Sequence, residues 1–164
     1  MFKRVTAVYP GTFDPVTFGH IDIITRAARI FGKVIVAVAA NPKKATLFSV
    51  KERMAMVAGA VKGLPNVSVD DFDGLVVDYV KRAGSGVMVR GLRMISDFEY
   101  EFQMALTNRK LHGEIETVFM MPHEAYSYVS SKLIKEAASL GADVSMFVPG
   151  EVDLLLKKKL KNRS

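Results

Sequence analysis

Residues that suit phosphate binding follow several strand-like runs of the sequence. After the first run, Thr17 is a favourable helix N-cap and places Gly19 and His20 in the first turn of a helix. Free backbone N–H groups and the helix dipole make such a turn an anion site, to which an imidazole adds one more donor. Comparable residues follow later runs: Lys43 and Lys44 after the second, Arg90 and Arg93 at the fourth, and Ser130 and Ser131 after the fifth.

Each of these residues, taken alone, also has an ordinary structural explanation. The alternatives are helix–strand packing for Gly19, a hydrogen-bonded helix start for His20, a solvated charge for Lys43, an Arg90–Asp97 or Arg93–Glu99 ion pair for the arginine loop, an N-cap for Ser130, and a cap of the turn before Pro15 for Asp14. Because basic and hydroxyl groups recur after successive strands, they jointly predict a polyphosphate site.

The segments around these residues alternate between strand and helix patterns. Strand-like runs span 5–9, 33–40, 67–72, 87–90 and 117–121, and helical patterns span about 19–31, 50–62, 74–83, 97–112 and 130–140. Residues 34–40 are apolar without alternation, which is typical of a strand covered on both faces. The alternation predicts an α/β fold, a Rossmann-like, doubly wound, five-stranded parallel sheet with helices on both faces and a C-terminal helix. We expect one domain over residues 1–164, because no repeat or linker interrupts the pattern.

Two capping boxes, Ser49 with Glu52 and Ser96 with Glu99, predict where two of the helices begin. In doubly wound folds, ligands bind outside the carboxyl ends of the strands, where the strand order reverses. The phosphate-binding residues follow the strands, so the elements are expected to bring them into one crevice.

Several familiar catalytic patterns are absent from the sequence. It contains no P-loop, G-x-S-x-G or H-E-x-x-H motif, and Gly84-Ser85-Gly86 precedes a strand instead of following one. The histidines His20, His112 and His123 lack metal-binding spacing, and the absence of cysteine excludes disulfides and thiolate chemistry. Hydrolase and zinc-enzyme functions are therefore not expected.

The charge balance gives only weak support for a nucleic-acid partner. The net charge is +6, but residues 151–164 alone hold five basic and two acidic side chains, on a segment with an apolar side at helical spacing (Val152, Leu155, Leu156 and Leu160). A solvated face of a terminal helix explains these charges. No apolar run approaches the ~20 residues of a membrane span, and the N-terminus lacks the features of a signal peptide. We expect neither a nucleic-acid nor a membrane partner.

A resemblance to known enzymes sharpens these expectations. Thr17-Phe18-Gly19-His20 matches the [HT]-x-G-H signature of the nucleotidyltransferase superfamily. A wider set of segments resembles the bacterial phosphopantetheine adenylyltransferases over nearly the whole chain: residues 9–15 (Tyr-Pro-Gly-Thr-Phe-Asp-Pro), 90–93 (Arg-Gly-Leu-Arg), 97–101 (Asp-Phe-Glu-Tyr-Glu) and 130–131 (Ser-Ser). The second and third of these segments point to this member of the superfamily.

The resemblance implies that ATP and 4′-phosphopantetheine react, with Mg²⁺, to give 3′-dephospho-coenzyme A and pyrophosphate. The acceptor phosphate would attack the α-phosphorus of ATP in line, without a covalent enzyme intermediate, so that catalysis rests on positioning and charge stabilisation. The resemblance also implies a cytoplasmic homohexamer, arranged as a dimer of trimers.

The same resemblance assigns site residues. It implies catalytic roles for His20, Lys44 and Arg93, with His20 donating to the α- and β-phosphate oxygens. Residues implied to line the ATP site are Gly11, Thr12, Phe13, His20, Gly91, Leu92, Arg93, Glu101, Tyr126, Ser127, Tyr128, Val129, Ser130, Ser131 and Lys132. Residues implied to bind the acceptor are Thr12, Lys44, Val76 and Arg90.

Two positions and two other functions stay open at this stage. Lys132 stands where family members often have a third serine, and Lys43 lies beside Lys44, although the spacing from the second strand favours Lys44. A related transferase that acts on nicotinate mononucleotide or glycerol phosphate is the main alternative. A cytidylyltransferase would carry R-T-x-G-[IV]-S-T where residues 128–132 read Tyr-Val-Ser-Ser-Lys. A nucleic-acid-binding module is the other alternative, and its affinity would fall steeply with salt.

Overall fold

Five parallel strands form the central sheet of the structure, a computed structural model that describes residues 2–40 and 45–161. The strands are β1 (Phe2–Gly11), β2 (Phe31–Ala39), β3 (Val67–Phe72), β4 (Val87–Gly91) and β5 (Glu116–Met120). The helices are α1 (Phe18–Ile30), α2 (Val50–Val61), α3 (Val76–Arg82), α4 (Ile95–Leu111), α5 (Ser131–Ser139) and α6 (Gly150–Lys161), and a 3₁₀ turn spans Glu124–Tyr126. The strand order is β3-β2-β1-β4-β5, and every pairing is parallel. The predicted α/β fold is confirmed.

Strand β2 shows that both faces of the sheet are covered. Val34 and Val36 pack in a cluster with residues of α1 and α2, whereas Ile35 and Ala37 pack in a second cluster with residues of α3. All four side chains are buried. The continuous apolar run of this strand therefore has the two-sided environment that its sequence predicts.

The strand order reverses between β1 and β4. The chain runs outward from β1 through β2 to β3, and then returns to place β4 on the other side of β1, with Ala7 opposite Val87. β1 ends at Gly11 and β4 ends at Gly91, so the two carboxyl ends lie side by side. This is the topological switch point at which ligands bind in doubly wound folds.

Three helices begin at the caps that the sequence predicts. The Thr17 side chain accepts the backbone N–H of His20, and the Ser49 side chain accepts that of Glu52 in a full capping box. Ser130 caps α5 by accepting the N–H of Leu133 at 3.1 Å. These caps fix where α1 and α5 begin, and both helix starts face the switch point.

The predicted cap of α4 is wrong. The helix begins at Ile95 after Met94, which makes no side-chain capping bond, and Ser96 lies inside the first turn. The Asp97 carboxylate in this turn accepts the backbone N–H of Arg93, in the loop before the helix, at 3.2 Å. The helix therefore starts two residues earlier than its hydrophobic pattern suggests.

The C-terminal helix α6 docks on the body of the protein through part of its predicted apolar side. Val152 and Leu156 are buried, whereas Leu155 is 41% exposed. The Lys159 ammonium donates to both carboxylate oxygens of Glu52, at 2.7 and 3.0 Å. Across the described residues, the structure contains no helix with the length and apolar character needed to cross a membrane.

Candidate functional site

A cavity of about 510 Å³ opens at the carboxyl ends of β1 and β4. Its walls come from the loop between β1 and α1, the end of β4, and the starts of α1, α4 and α5. The site residues that the structure brings together there are Gly11, Thr12, Phe13, His20, Arg90, Gly91, Arg93, Glu101, Val129, Ser130, Ser131 and Lys132. The crevice predicted from the strand ends is therefore present in the fold.

The imidazole of His20 is oriented by the start of its own helix. The backbone N–H of Thr17 donates to Nδ1 at 3.1 Å. Because Nδ1 accepts this N–H, the neutral ring carries its proton on Nε2. Burial lowers the pKa of His20 to about 4, with further contributions from Arg93 and Arg90. The ring is thus neutral near pH 7 and has an Nε2–H group to donate within the cavity.

Two glycines allow the strand ends to approach neighbouring side chains. A Cβ atom on Gly91 would lie 2.6 Å from Cδ1 of Ile23, and one on Gly11 would lie 2.8 Å from Cζ of Phe13. The Phe13 ring is almost fully buried and packs edge-on against the imidazole of His20. Phe13 therefore supports His20 from the inside, and its ring is not available as a broad contact surface.

Arg90 extends from the end of β4 and pairs with a carboxylate of α4. Its Nε donates at 2.8 Å, and its Nη2 also donates, to the two oxygens of Glu101. Its Nη1 donates to the Pro10 carbonyl at 2.8 Å. The alternative Arg90–Asp97 pair is therefore not formed, because the strand end lies closer to the second turn of α4 than to the first.

Arg93 binds α4 in the same way as Arg90, through a carboxylate one helical turn earlier. Its Nε and Nη2 donate to the oxygens of Asp97 at 3.0 and 3.2 Å, and its Nη1 donates to the Val129 carbonyl at 3.1 Å. The alternative pair with Glu99 is wrong, since Glu99 lies on the exposed side of the helix. Asp97 and Glu101 share one face of α4, as residues four apart on a helix do.

A buried ion pair in the cavity wall was missed by the sequence reasoning. Lys135 of α5 donates to the Asp14 carboxylate, and both residues line the cavity. The Asp14 carboxylate also accepts the backbone N–H groups of Leu47 and Phe48, each at 2.9 Å. It therefore binds a distant segment of the chain instead of capping the turn before Pro15. The available signal was the spacing of Lys135, one helical turn after Lys132.

A second cavity of about 200 Å³ adjoins the first, and Pro10, Gly11, Thr12, Arg90 and Glu101 line both. Its remaining walls are largely apolar and include the predicted Val76 together with Ala39, Phe72, Met88, Met104 and Ala105. Sequence reasoning assigned Val76 by resemblance but missed the contribution of α4, because α4 has no clear apolar face.

Asn108 is a polar exception in this apolar cavity. The residue is 7% exposed and lines the cavity from α4. Within the described part of the chain, its side-chain amide makes no hydrogen bond and is not among the buried unpaired polar atoms, so the amide atoms are accessible from the cavity. The amide is therefore free to donate to and accept from a bound molecule.

Some residues that the resemblance assigns to the site lie outside both cavity walls: Leu92, Tyr126, Ser127 and Tyr128. The Ser127 hydroxyl donates to the Glu124 carbonyl at 2.9 Å, and Tyr128 is 60% exposed. Tyr126 lies beside Gly19, whose Cβ would be 3.5 Å from that of Tyr126. Lys43 and Lys44 lie outside the described residues.

The acidic side chains of the walls are engaged with cations. Asp14, Asp97 and Glu101 pair with lysine or arginine. Among residues 2–40 and 45–161, no group of three or more His, Asp or Glu side chains could hold a metal ion. These carboxylates are thus poor candidates for a resident metal centre, whereas the phosphates of a nucleotide carry oxygen ligands of their own.

Comparison with known proteins identifies close relatives. Residues 8–137 match the Cytidylyltransferase-like family. The chain is 54% identical over 155 residues to the phosphopantetheine adenylyltransferase of Caldanaerobacter subterraneus subsp. tengcongensis, covering 94% of this chain and 97% of the relative. It is 53% identical over 156 residues to that of Methylococcus capsulatus, covering 95% and 96%. For Thermotoga neapolitana the identity is 51% over 157 residues, covering 96% and 98%.

Solved structures share the fold at low sequence identity. One, described as a nicotinate-nucleotide adenylyltransferase from Vibrio parahaemolyticus, superposes with a TM-score of 0.71 at 19% identity, covering 95% of this chain and 99% of that chain. A lipopolysaccharide core biosynthesis protein from Thermoplasma volcanium has a TM-score of 0.54 at 19% identity, covering 73% of this chain and 98% of that chain. At these identities the likeness concerns the fold alone.

Proposed function

This chain belongs to the phosphopantetheine adenylyltransferases within the cytidylyltransferase-like family, and we propose that it transfers the adenylyl group of ATP to 4′-phosphopantetheine in coenzyme A biosynthesis. The products are 3′-dephospho-coenzyme A and pyrophosphate. The observation that carries the proposal is the position of Arg90, in the wall shared by a cavity with phosphate-binding groups and a smaller apolar cavity. An acceptor that is apolar along its arm and ends in a phosphate fits this combination.

The larger cavity suits the triphosphate of ATP. The Nε2–H of His20, the guanidinium of Arg93 and the Lys132 side chain supply donors and positive charge. The start of α5, capped by Ser130, adds free backbone N–H groups. We assign catalytic roles to His20, Arg93 and Lys44, and nucleotide contacts to those residues implied by the resemblance that line the larger cavity.

The smaller cavity suits the pantetheine arm. The arm contains two amide groups between apolar segments, and Val76 and its apolar neighbours match those segments. The unpartnered amide of Asn108 can pair with one of the amides of the arm. Thr12 and Arg90, which line both cavities, would hold the phosphate at their junction, and the resemblance alone adds Lys44 to the acceptor contacts.

The reaction follows from this arrangement as a direct displacement. An oxygen of the acceptor phosphate forms a bond to the α-phosphorus of ATP, the bond between that phosphorus and the bridging oxygen to the β-phosphorus breaks, and pyrophosphate leaves with the electron pair. Negative charge grows on the phosphate oxygens, and the preorganised Nε2–H donor of His20 and the charge of Arg93 stabilise it. No protein nucleophile takes part.

Magnesium is proposed to enter as the complex with ATP. The carboxylates of the walls are paired with cations, so the phosphate oxygens and water would provide most of the Mg²⁺ ligands. Bound in this way, the metal neutralises charge on the transferring phosphates. The chain itself contributes the donors that position those phosphates.

Assembly as a cytoplasmic homohexamer, a dimer of trimers, is also proposed. Helix α4 supports it, because this helix buries Glu101 and Asn108 while it exposes large apolar residues, including Ile95, Phe102 and Leu106. Exposed apolar patches on one helix are typical of interfaces between subunits. Sedimentation or light scattering of the purified protein measures the assembly state, and a monomer would contradict the proposal.

The decisive experiment measures pyrophosphate release from Mg-ATP with 4′-phosphopantetheine, with nicotinate mononucleotide, and with no acceptor. Release with 4′-phosphopantetheine alone is expected. Release with the mononucleotide alone would keep the fold and the chemistry of His20 but overturn the acceptor assignments of Val76 and Arg90. Silence in all three reactions would contradict the transferase function and favour a binding module.

A further inference from the structure

The structure holds two arginines in the same way, each by one carboxylate of α4. Arg90 and Arg93 each use Nε and Nη2 to hold the two oxygens of one carboxylate, and each uses Nη1 to hold one backbone carbonyl. The carboxylates are Glu101 and Asp97, four residues apart on one helix face. A repeated geometry of this kind fixes the plane and direction of both guanidinium groups.

The hydrogen bonds leave the same part of each guanidinium free. A guanidinium has five N–H groups, and each arginine commits three of them to the carboxylate and the carbonyl. One N–H on Nη1 and one on Nη2 remain, and both can donate to phosphate oxygens. The carboxylate thus orients the arginine and leaves it two donors for a phosphate.

The two pairs share the larger cavity, but only one of them also lines the smaller cavity. Arg90 and Glu101 line both cavities, whereas Arg93 and Asp97 line only the larger one. The Glu101 side chain is 10% exposed, so little of its surface is left for direct contact with a nucleotide. Its two oxygens are occupied by Arg90, which faces the acceptor side.

We propose that Asp97 and Glu101 are positioning residues that divide the two substrates between two arginines: Asp97 aims Arg93 at the phosphates of the nucleotide, and Glu101 aims Arg90 at the phosphate of the acceptor. This inference rests on the proposed function. It gives Glu101, which lines both cavities, an additional role on the acceptor side that it exerts through Arg90.

The test compares two isosteric variants of the same helix, E101Q and D97N, with E99Q as the matched control, since Glu99 lines neither cavity. Calorimetry measures the Kd of 4′-phosphopantetheine and of Mg-ATP separately, and steady-state kinetics measures both KM values. E101Q should weaken the acceptor by about tenfold or more while the ATP affinity stays within about threefold, because a charge-assisted hydrogen bond is lost. D97N should show the reverse pattern, and E99Q should change neither.

Two further measurements separate positioning from a structural effect. Adding E101Q to R90A should weaken acceptor binding no further, because Glu101 would then have no arginine to aim. Binding of pantetheine without its phosphate should be unchanged in E101Q. If E101Q does not fold, E101D, which keeps the charge on a shorter side chain, is measured in the same way.

The opposing results are equally definite. Equal losses of ATP and acceptor affinity in both variants would show that α4 is only a structural support. A loss of ATP affinity alone in E101Q would show direct contact between Glu101 and the nucleotide. A wild-type protein that binds Mg-ATP and no 4′-phosphopantetheine would instead contradict the proposed function itself.

Discussion

The two cavities that meet at Arg90 are built from different kinds of residue. The larger one is lined by charged groups that are already paired, such as Arg93 with Asp97 and Lys135 with Asp14. The smaller one is lined mainly by apolar side chains, with the unpartnered amide of Asn108 among them. Phosphates are common to all nucleotides. Under the proposed function, the larger cavity would therefore provide reactivity, and shape and hydrogen bonding in the smaller cavity would provide the choice of acceptor.

The largest effect on activity should come from a substitution in the larger cavity. His20→Ala removes the Nε2–H donor from the phosphates, and kcat should fall on the order of 10²–10³-fold, as for one lost transition-state donor. The fold should stay intact, because the side chain contributes little to the apolar core. Steady-state kinetics measures the loss, with His123→Ala, whose side chain is outside both cavities, as the control. A variant within twofold of wild type would remove His20 from the mechanism.

The junction of the cavities should give the next largest effect. Arg90→Ala removes two free N–H donors from the acceptor phosphate, and the KM for 4′-phosphopantetheine should rise roughly 10–100-fold, with a smaller change for ATP. Arg109→Ala is the control, since Arg109 pairs with Glu116 outside both cavities. Because the substitution leaves Glu101 without its ion-pair partner, a thermal melt checks that the variant folds. An unchanged acceptor KM would mean that another residue holds the phosphate.

A substitution in the smaller cavity should have a smaller effect, limited to the KM for the acceptor. Asn108→Leu keeps a side chain of similar size but removes the amide, so the acceptor KM should rise about 3–10-fold, as for a neutral hydrogen bond. The KM for ATP should not change. Gln103→Leu, on the exposed side of the same helix, is the control. An equal rise in both KM values would show that Asn108 supports the helix and does not contact the acceptor.

Some features of the fold and of the site can be predicted from the sequence, and others cannot. The sheet follows from residues 34–38, whose uninterrupted apolar run needs two covered faces, and the start of α1 follows from the cap at Thr17. These features are local, so composition and spacing determine them. The polar residues at the strand ends follow as well, because parallel strands deliver their carboxyl ends to one edge.

The partners of the arginines could not be read from spacing. The ion pairs that the sequence offered as an alternative were Arg90 with Asp97 or Arg93 with Glu99. The length of β4 and the early start of α4 instead bring Glu101 to Arg90 and Asp97 to Arg93. Likewise, the place of Asn108 in the smaller cavity depends on which face of α4 packs on the sheet. That face mixes the polar Glu101 and Asn108 with Met104 and Ala105, while Phe102 and Leu106 are exposed, so the hydrophobic pattern does not identify it.

The smallest expected effect concerns the protonation of His20, whose imidazole should not change its protonation state near neutral pH. Burial lowers the pKa of His20 to about 4, so the free protein should keep a neutral ring with the proton on Nε2 down to about pH 5. Nitrogen-15 NMR of the imidazole measures the tautomer, and the missing signal in His20→Ala assigns it. A ring that takes up a proton near pH 6.5 would contradict the buried, Thr17-bound geometry.

The same lowered pKa has a consequence for stability, with a definite sign. Between about pH 6.5 and pH 4 the unfolded chain binds a proton at His20 that the folded chain does not bind, so the free energy of unfolding should decrease as the pH falls through this range. Denaturant melts of wild type and His20→Ala at several pH values measure this slope. The wild type should lose more stability than the variant over that interval, and parallel slopes would show that the folded protein does not resist protonation of His20. In the neutral ring, the bond from the Thr17 N–H to Nδ1 keeps the proton on Nε2, so the donor proposed for the phosphates is present across the physiological range.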